Sequence, residues 1–324
     1  MNSSCSYRIR QFDMANRIDL VTLEAFKNNL NKTSTTSDDV IARIITRASG
    51  QANTFTKRYL RPNTYTEYYD GDGLYKLFIR HYPIISVTSL YDDLNRDFGS
   101  TYLKAATDYF VNSKPGTIEL MSEAVKGTIF LEGRRNVKLT YVAGFDEFEI
   151  ITGVNDSIDF KDDGGAEVSS TLDSGTYTGT ALATEIKTQL DTDGAGTYTV
   201  VYNQLTGIYT VTTDQTTVQF LISTGTNAYK GVYSTIGFDA DADPTAAATM
   251  TAGFGVLGVP EDIQQAAMLI ALRDLNESAL GSDQFDLKKK TLSAESGTGT
   301  TEYVGGKIPP QAAQILTPYK RRVI

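Results

Sequence analysis

The sequence predicts an α+β chain: a helical host with a small antiparallel β subdomain, plus an inserted β-rich domain of order β-α-β-β-β. Three observations lead there. Apolar side chains between Val40 and Phe55 recur at steps of three and four, the period of a helix buried on one face. From Thr64 onward the period falls to two, the period of strands. Finally, the strand Lys138–Phe145, KLTYVAGF, ends in Ala-Gly as if to turn straight into a helix. The helix that fits, VPEDIQQAAMLIAL from Val259, begins about 110 residues later.

Charge marks what lies between. Residues 146–258 hold three lysines, no arginine and 16 acidic residues, a net of −13. The rest of the chain holds 27 basic and 23 acidic residues, a net of +4. Such a shift marks a domain boundary. A strand-to-helix corner on the surface accepts an insert whose own ends lie close together. The host part is therefore 1–145 joined to 259–324, and the inserted acidic module is 146–258.

Each element follows in order. Residues 1–18 are a polar tail. Thr22 caps a short helix carrying Leu23, Phe26 and Leu30. Thr36 or Ser37 caps the next, with Asp38 and Asp39 at its positive end and a stripe from Val40 through Ile41, Ile44, Ile45, Ala48, Ala52 and Phe55 to Tyr59. Arg61-Pro62 ends it. TYTEYYDGDGLYKLFIR reads as a hairpin turning at Asp70-Gly71 and Asp72-Gly73. IISVTSLYD, DYFVNS, TIELM, GTIFLEG and VKLTYVAG complete a small antiparallel sheet or barrel.

In the acidic module IDFKD and AEVSSTLDSGTYTG read as strands. Thr180 caps a helix with Leu182, Ile186 and Leu190 on one face. TYTVVYN, IYTVTT and VQFLI are strands again, the first two joined by an Asn203–Gly207 turn, with Tyr198, Val200 and Tyr202, then Val218, Phe220 and Ile222, facing inward. After Gly258, Pro260, Glu261 and Asp262 open a helix that is apolar almost all round and ends at Gly281. SAESGTGTTEYVGG is a linker, and Ile308–Ile324 is a short helix with a basic end.

The residue chemistry points away from catalysis and cofactors. One cysteine, Cys5, and one histidine, His81, make neither a disulfide nor a zinc site. A Cys–His nucleophile would need Cys5, in the polar tail, to meet His81, which reads as a strand-end residue before Tyr82-Pro83. The DGDG stretch lacks the later ligands of a calcium loop. Asp239, Asp241 and Asp243 alternate and would share a face in a strand, where a hard cation could bridge them; a solvated acidic loop is the plainer reading. Lys288–Lys290 and Lys320–Arg322 are short basic runs suited to phosphate or, more simply, to solvent or protein. No run approaches the ~18 apolar residues that span a membrane. The start, MNSSCSYRIRQF, has no apolar h-region, so export is not expected.

With the module set aside, the order LVTLEAFKNNL, DDVIARIITRASGQANTFTKRYL, YPIISVTSLY, LTYVAGF, VPEDIQQAAMLIALRDL and ILTPYKRR resembles the head-to-tail connector (adaptor) proteins of tailed bacteriophages. The likeness covers about 200 residues. The polar tail and the large insert depart from it. The insert is itself similar to modules of other phage virion proteins that serve as structural contacts.

The resemblance implies a helical connector host. It also implies a structural virion protein that forms a dodecameric ring beneath the portal, in the head-tail neck, assembled in the host-cell cytoplasm. Its partners would be the portal protein, a tail or stopper protein, other copies of itself, and DNA passing through the channel without sequence-specific binding, with no membrane. The portal-docking arm would be Ile308, Ala312, Ile315, Leu316, Tyr319, Lys320, Arg321 and Arg322, an apolar stripe with nothing to cover it until a partner arrives. The alternative is a carbohydrate- or receptor-binding virion protein acting through the module. Its tyrosines at 177, 198, 202, 209, 229 and 233 would stack on sugars, though most sit at alternating strand positions that suit a core.

Overall fold

The structure, a computed structural model, describes residues 18–238, 242–277 and 308–321. In chain order the helices and strands are α1 (Leu23–Asn29), α2 (Asp38–Thr56), β1 (Asn63–Gly71), β2 (Lys76–Phe78), β3 (Ile84–Asp92), β4 (Tyr109–Asn112), β5 (Thr117–Leu120) and β6 (Gly133–Ala143). Then come β7 (Phe148–Ile150), β8 (Ser157–Asp162), β9 (Val168–Thr171), β10 (Gly175–Tyr177), α3 (Gly179–Asp193), β11 (Tyr198–Asn203), β12 (Ile208–Thr213), β13 (Val218–Phe220) and β14 (Thr249–Thr251). The last helices are α4 (Glu261–Glu277) and α5 (Pro310–Leu316).

This corrects the expected fold class. Among the described residues the chain is mostly β, with 14 strands in five small antiparallel sheets against five α-helices. It is not a helical connector host. Residues 63–143 alone supply six strands, in two sheets of order β1-β6-β3 and β2-β5-β4. Their alternating Tyr, Thr, Ile and Val build a core of their own rather than an appendage to the helices. The module is not β-α-β-β-β either. Four strands precede α3 and four follow it, in sheets β10-β7, β13-β8-β9 and β11-β12-β14.

Three cores result. α1, α2, α4 and α5 enclose Phe26, Ile41, Ile44, Ile45, Ile263, Ile270, Leu275 and Leu316, with Leu257 and Val259 from the returning chain. The two N-terminal sheets enclose Tyr69, Ile79, Ile118, Phe130, Leu139 and Tyr141. The third core draws its buried members only from residues 148–252, with α3 laying Leu182, Ile186 and Leu190 onto Phe160, Tyr198 and Tyr209. Ile270 is fully buried and Leu269 only partly. Ile270→Ala should therefore cost about 2–5 kcal/mol and Leu269→Ala distinctly less, read as the shift in urea midpoint.

Local expectations met different fates. Thr22 caps α1, its hydroxyl accepting from the Ala25 N–H at 3.2 Å. Ser37 precedes α2 without a side-chain cap bond. α2 stops at Thr56, before Pro62, because Lys57 adopts the left-handed conformation (φ 57°). Tyr59 consequently leaves the stripe and is exposed. The cap of α3 is Thr178, which accepts from the Ala181 N–H, not Thr180. Asn203–Gly207 does join β11 to β12: Asn203 Oδ1 accepts from the Leu205 N–H, and the Gly207 N–H donates to Asn203 O.

The DGDG hairpin does not form. β1 pairs with β6 from Asn63↔Ala143 to Gly71↔Gly133, and β2 pairs with β5. A bulge between Tyr69 and Gly71 carries the chain out of one sheet and into the other. Gly71 is required there, since a Cβ would meet Leu131 O at 1.9 Å. Asp70 Oδ1 accepts from the Arg135 N–H and Asp72 Oδ1 from the Leu74 N–H, so both carboxylates serve the turn. GTIFLEG is not a strand before Gly133. Phe130 alone inserts into the core, its N–H donating to Leu74 O, while Ile129 and Leu131 stay outside.

Candidate functional site

The most distinctive surface is apolar. Of the exposed large hydrophobic side chains, ten lie between residues 74 and 131. They crowd the sheet β2-β5-β4 and the loops that lead into and out of it. Register explains why. Directly paired residues in an antiparallel sheet share a face. Leu77 and Val111 both pair with Ile118, and that face is the core. Phe78 and Asn112 pair with Thr117, while Lys76 and Phe110 pair with Glu119. On that face Thr117 is buried, but Phe78 and Phe110 are exposed. Lys76 bonds Glu119 at 2.8 Å, Asn112 Nδ2 donates to Glu119 Oε1 at 3.1 Å, and the Phe78 and Phe110 rings stand exposed on either side. Leu74, Tyr75, Met121, Ile129 and Leu131 are exposed around one end of this sheet. Alternation in these short strands shows that neighbouring side chains face opposite sides but not which side the rest of the chain covers, so this face is not legible in the sequence.

The C-terminal segment lies otherwise than expected. Ala312 and Leu316 are fully buried in the helical core, and Ile308, Ile315 and Tyr319 pack against it. The stripe expected to stand bare is covered by the chain's own α2 and α4. The reason lies in α4: a helix apolar nearly all round needs more than one neighbour, and α5 takes the side that α2 leaves. Tyr319 Oη donates to Asp262 Oδ2 at 2.6 Å, and burial with that carboxylate pushes the hydroxyl up to about 12. Lys320 Nζ sits over the Phe55 ring at 4.2 Å, and the Arg321 N–H donates to Thr56 O at 2.8 Å. Lys320 and Arg321 stay exposed at the surface. Arg322 lies outside the described residues, as do Cys5, Gly281, Lys288–Lys290 and the 293–306 linker.

A buried charge network joins α2 to α4. Asp274 accepts from Arg47 Nε at 2.7 Å, from Gln51 Nε2 at 3.0 Å and from Arg273. Another joins the two sides of the acidic module's attachment. Arg61 donates from Nη1 to Asp19 O at 3.1 Å and from Nη2 to Gln204 O of the β11–β12 turn. Burial pushes the Asp146 carboxyl up, opposed by the Gly179 N–H and by Arg61. The chain enters and leaves the module side by side, with the Glu147 N–H donating to Gly258 O at 2.9 Å.

In the module, Tyr198, Tyr202, Tyr209 and Tyr233 are buried core residues and Tyr177 packs against them. Tyr229, 82% exposed, is the one of the six that stands in solvent. Asp243 caps Ser223 and Thr224, accepting from both N–H groups and both hydroxyls. Asp239 and Asp241 lie outside the described residues. Among the described residues no group of His, Cys, Asp and Glu is placed to hold a metal, and no helix is long and apolar enough to cross a membrane.

His81 is buried and stacked on Tyr65 with ring centres 3.8 Å apart. Burial lowers its pKa to about 4, against the pull of Glu67, and Arg58, Arg321 and Arg80 push the same way as burial. The unfolded chain, with His81 near 6.5, binds that proton more readily. His81 therefore contributes its full stability above about pH 6.5 and loses it as the pH falls toward 4. Melting temperature should fall over that window, and His81→Phe, which keeps the stack, should flatten that part of the profile.

A comparison with protein-family models finds no match, and a comparison with curated proteins finds none either.

Proposed function

We propose that the chain is a structural virion protein that assembles into a ring at the head-to-tail junction of a tailed phage and extends the DNA channel beneath the portal. The observation that supports this most directly is the outward apolar face of β2-β5-β4. Phe78 and Phe110 are placed by strand register, so their exposure is built into the sheet rather than being an accident of a loop. Large apolar side chains held outward in this number mark an association surface. Charge segregation supports the same reading. The module, at −13, suits the outer side of a ring, away from DNA, while the remainder, at +4, suits the inner side and neighbouring copies. In this reading the portal protein meets the chain through the C-terminal segment, where Lys320 and Arg321 are exposed, and a tail or stopper protein meets the opposite side.

Sizing of the purified chain by light scattering, with negative-stain images, tests the ring. Closed rings are expected from the unaltered chain. The Phe78→Glu/Phe110→Glu double variant should keep its melting transition and sediment as a monomer. A monomeric unaltered chain, or a double variant that still forms rings, would remove the basis of this reading. The heterologous contact that makes a ring needs two different patches, so the Phe78/Phe110 face would meet a different surface of the adjacent copy's host part.

A further inference from the structure

Arg58 is 5% exposed, yet among the described residues Nε, Nη1 and Nη2 all lack a hydrogen-bond partner. A guanidinium has five donors arrayed in its plane, and burying it without hydrogen bonds is strongly unfavourable. Two rings offset part of this, those of Tyr82 at 4.7 Å and Phe145 at 5.4 Å. A ring satisfies the charge but none of the N–H groups.

The surroundings show the same deficit. His81, 7% exposed, leaves Nδ1 without a hydrogen-bond partner among the described residues. Arg58, Arg80 and Arg321 all lie within electrostatic reach of it. The one carboxylate among them is Glu67, and it is committed. Its Oε2 accepts from the Tyr69 and Tyr141 hydroxyls at 2.6 and 2.7 Å, and its Oε1 faces Arg80 at 3.6 Å and His81 Nε2 at 3.8 Å. Among the described residues Arg80 alone of the three guanidinium groups lies within 4 Å of this carboxylate, so Glu67 gives Arg58 no hydrogen bond.

A short strap lies beside Arg58. Tyr319 packs edge-on against Phe145 at 5.5 Å, the Tyr82 hydroxyl donates to Lys320 O at 3.3 Å, and the Arg321 N–H donates to Thr56 O. Both rings that cover Arg58 are thus held in turn by residues 319–321. We propose that Arg58, with His81 Nδ1 beside it, is a receptor for a single carboxylate, closed in this state by the Tyr319–Arg321 strap. A carboxylate fits the fork of a guanidinium with two parallel hydrogen bonds. The class could arrive as a free organic acid or as a Glu or Asp side chain of a protein. The proposal stands apart from the ring assembly, since it concerns one chain.

The test uses the full chain and sodium acetate, at constant ionic strength made up with sodium chloride. The readout is the Arg58 Nε–H resonance, identified by its loss in Arg58→Lys. Acetate should shift it saturably. Tyr82→Phe, which removes the hydrogen bond to Lys320 O, should tighten the apparent affinity by roughly tenfold, because less binding free energy goes into opening the strap. A second variant guards against misfolding. Arg58→Met should melt no lower than the parent, since it removes an unpaired buried charge, and acetate, which should raise the parent's melting temperature, should leave that of Arg58→Met unchanged. A Glu-containing peptide that competes with acetate would assign the receptor to protein side chains, and one that does not would assign it to free acids. No saturable shift in either the parent or Tyr82→Phe would overturn the proposal. So would a lowered melting point for Arg58→Met together with a parent melting temperature that acetate does not raise, which would make Arg58 a structural post for its two rings. An equal effect of phosphate at the same ionic strength would reject the carboxylate assignment.

Discussion

Truncation before Ile308 should strip the helical core and lower the melting temperature sharply. Ala312 and Leu316 are fully buried there, with Ile308, Ile315 and Tyr319 packed around them. Leu316→Ala alone should cost about 2–5 kcal/mol, against a total stability of roughly 5–15 kcal/mol for a domain. Loss of the whole segment removes several such contributions, as well as the Tyr319–Asp262 and Arg321–Thr56 hydrogen bonds. The measurement is thermal and urea melting of the full and truncated chains. A truncated chain that melts with the parent would mean that the segment contributes nothing to the fold and is free to serve a partner alone. The two demands compete in the proposed assembly: a segment that docks on a portal through its apolar stripe must first leave α2 and α4, and the cost of leaving is subtracted from the affinity.

Excising the acidic module should leave two folded pieces, provided that two contacts at the junction are repaired. The entering and leaving chains are already hydrogen-bonded neighbours at Glu147 and Gly258, so a short Gly/Ser bridge spans the gap. Leu257 and Val259 belong to the helical core, so the bridge should run from Phe145 to Leu257. Arg61, buried in the intact chain, then loses Gln204 O and the nearby Asp146. A lost partner for a buried charged donor costs on the order of 1–3 kcal/mol. The bridged host part should therefore be measurably weak, and Arg61→Met should restore it. The excised piece, residues 146–256, keeps its core intact and should melt cooperatively by itself. A host part that stays molten even with Arg61→Met, or an excised module without a transition, would show that the two units fold only together.

Much of the local structure could be read directly from the chain. The stripe of α2, the apolar face of α3, the Thr22 cap and the Asn203–Gly207 turn depend on interactions within a few residues, which spacing and side-chain type encode. The charge contrast of the acidic module is composition alone. Strand pairing is different. Whether β1 turns back onto β2 or runs the length of β6 depends on a partner about 70 residues away, and the bulge at Gly71 that decides it is set by Leu131 and Asn136. Alternation says that Phe78 and Leu77 face opposite sides, but not which side is covered. The cover for Leu77 comes from the other sheet, whereas Phe78 stays about half exposed with only the Lys76 ammonium over its ring. The sequence likewise shows the stripe on α5 without showing that α4 leaves a place for it. Nor could it show the Arg58 guanidinium enclosed without a hydrogen bond among the described residues, because that enclosure needs Tyr82, Phe145 and the 319–321 strap, three separate parts of the chain, brought together. Local periodicity placed most of the helices and strands of this protein, and long-range packing alone decided how they pair and which of their faces stay uncovered among the described residues.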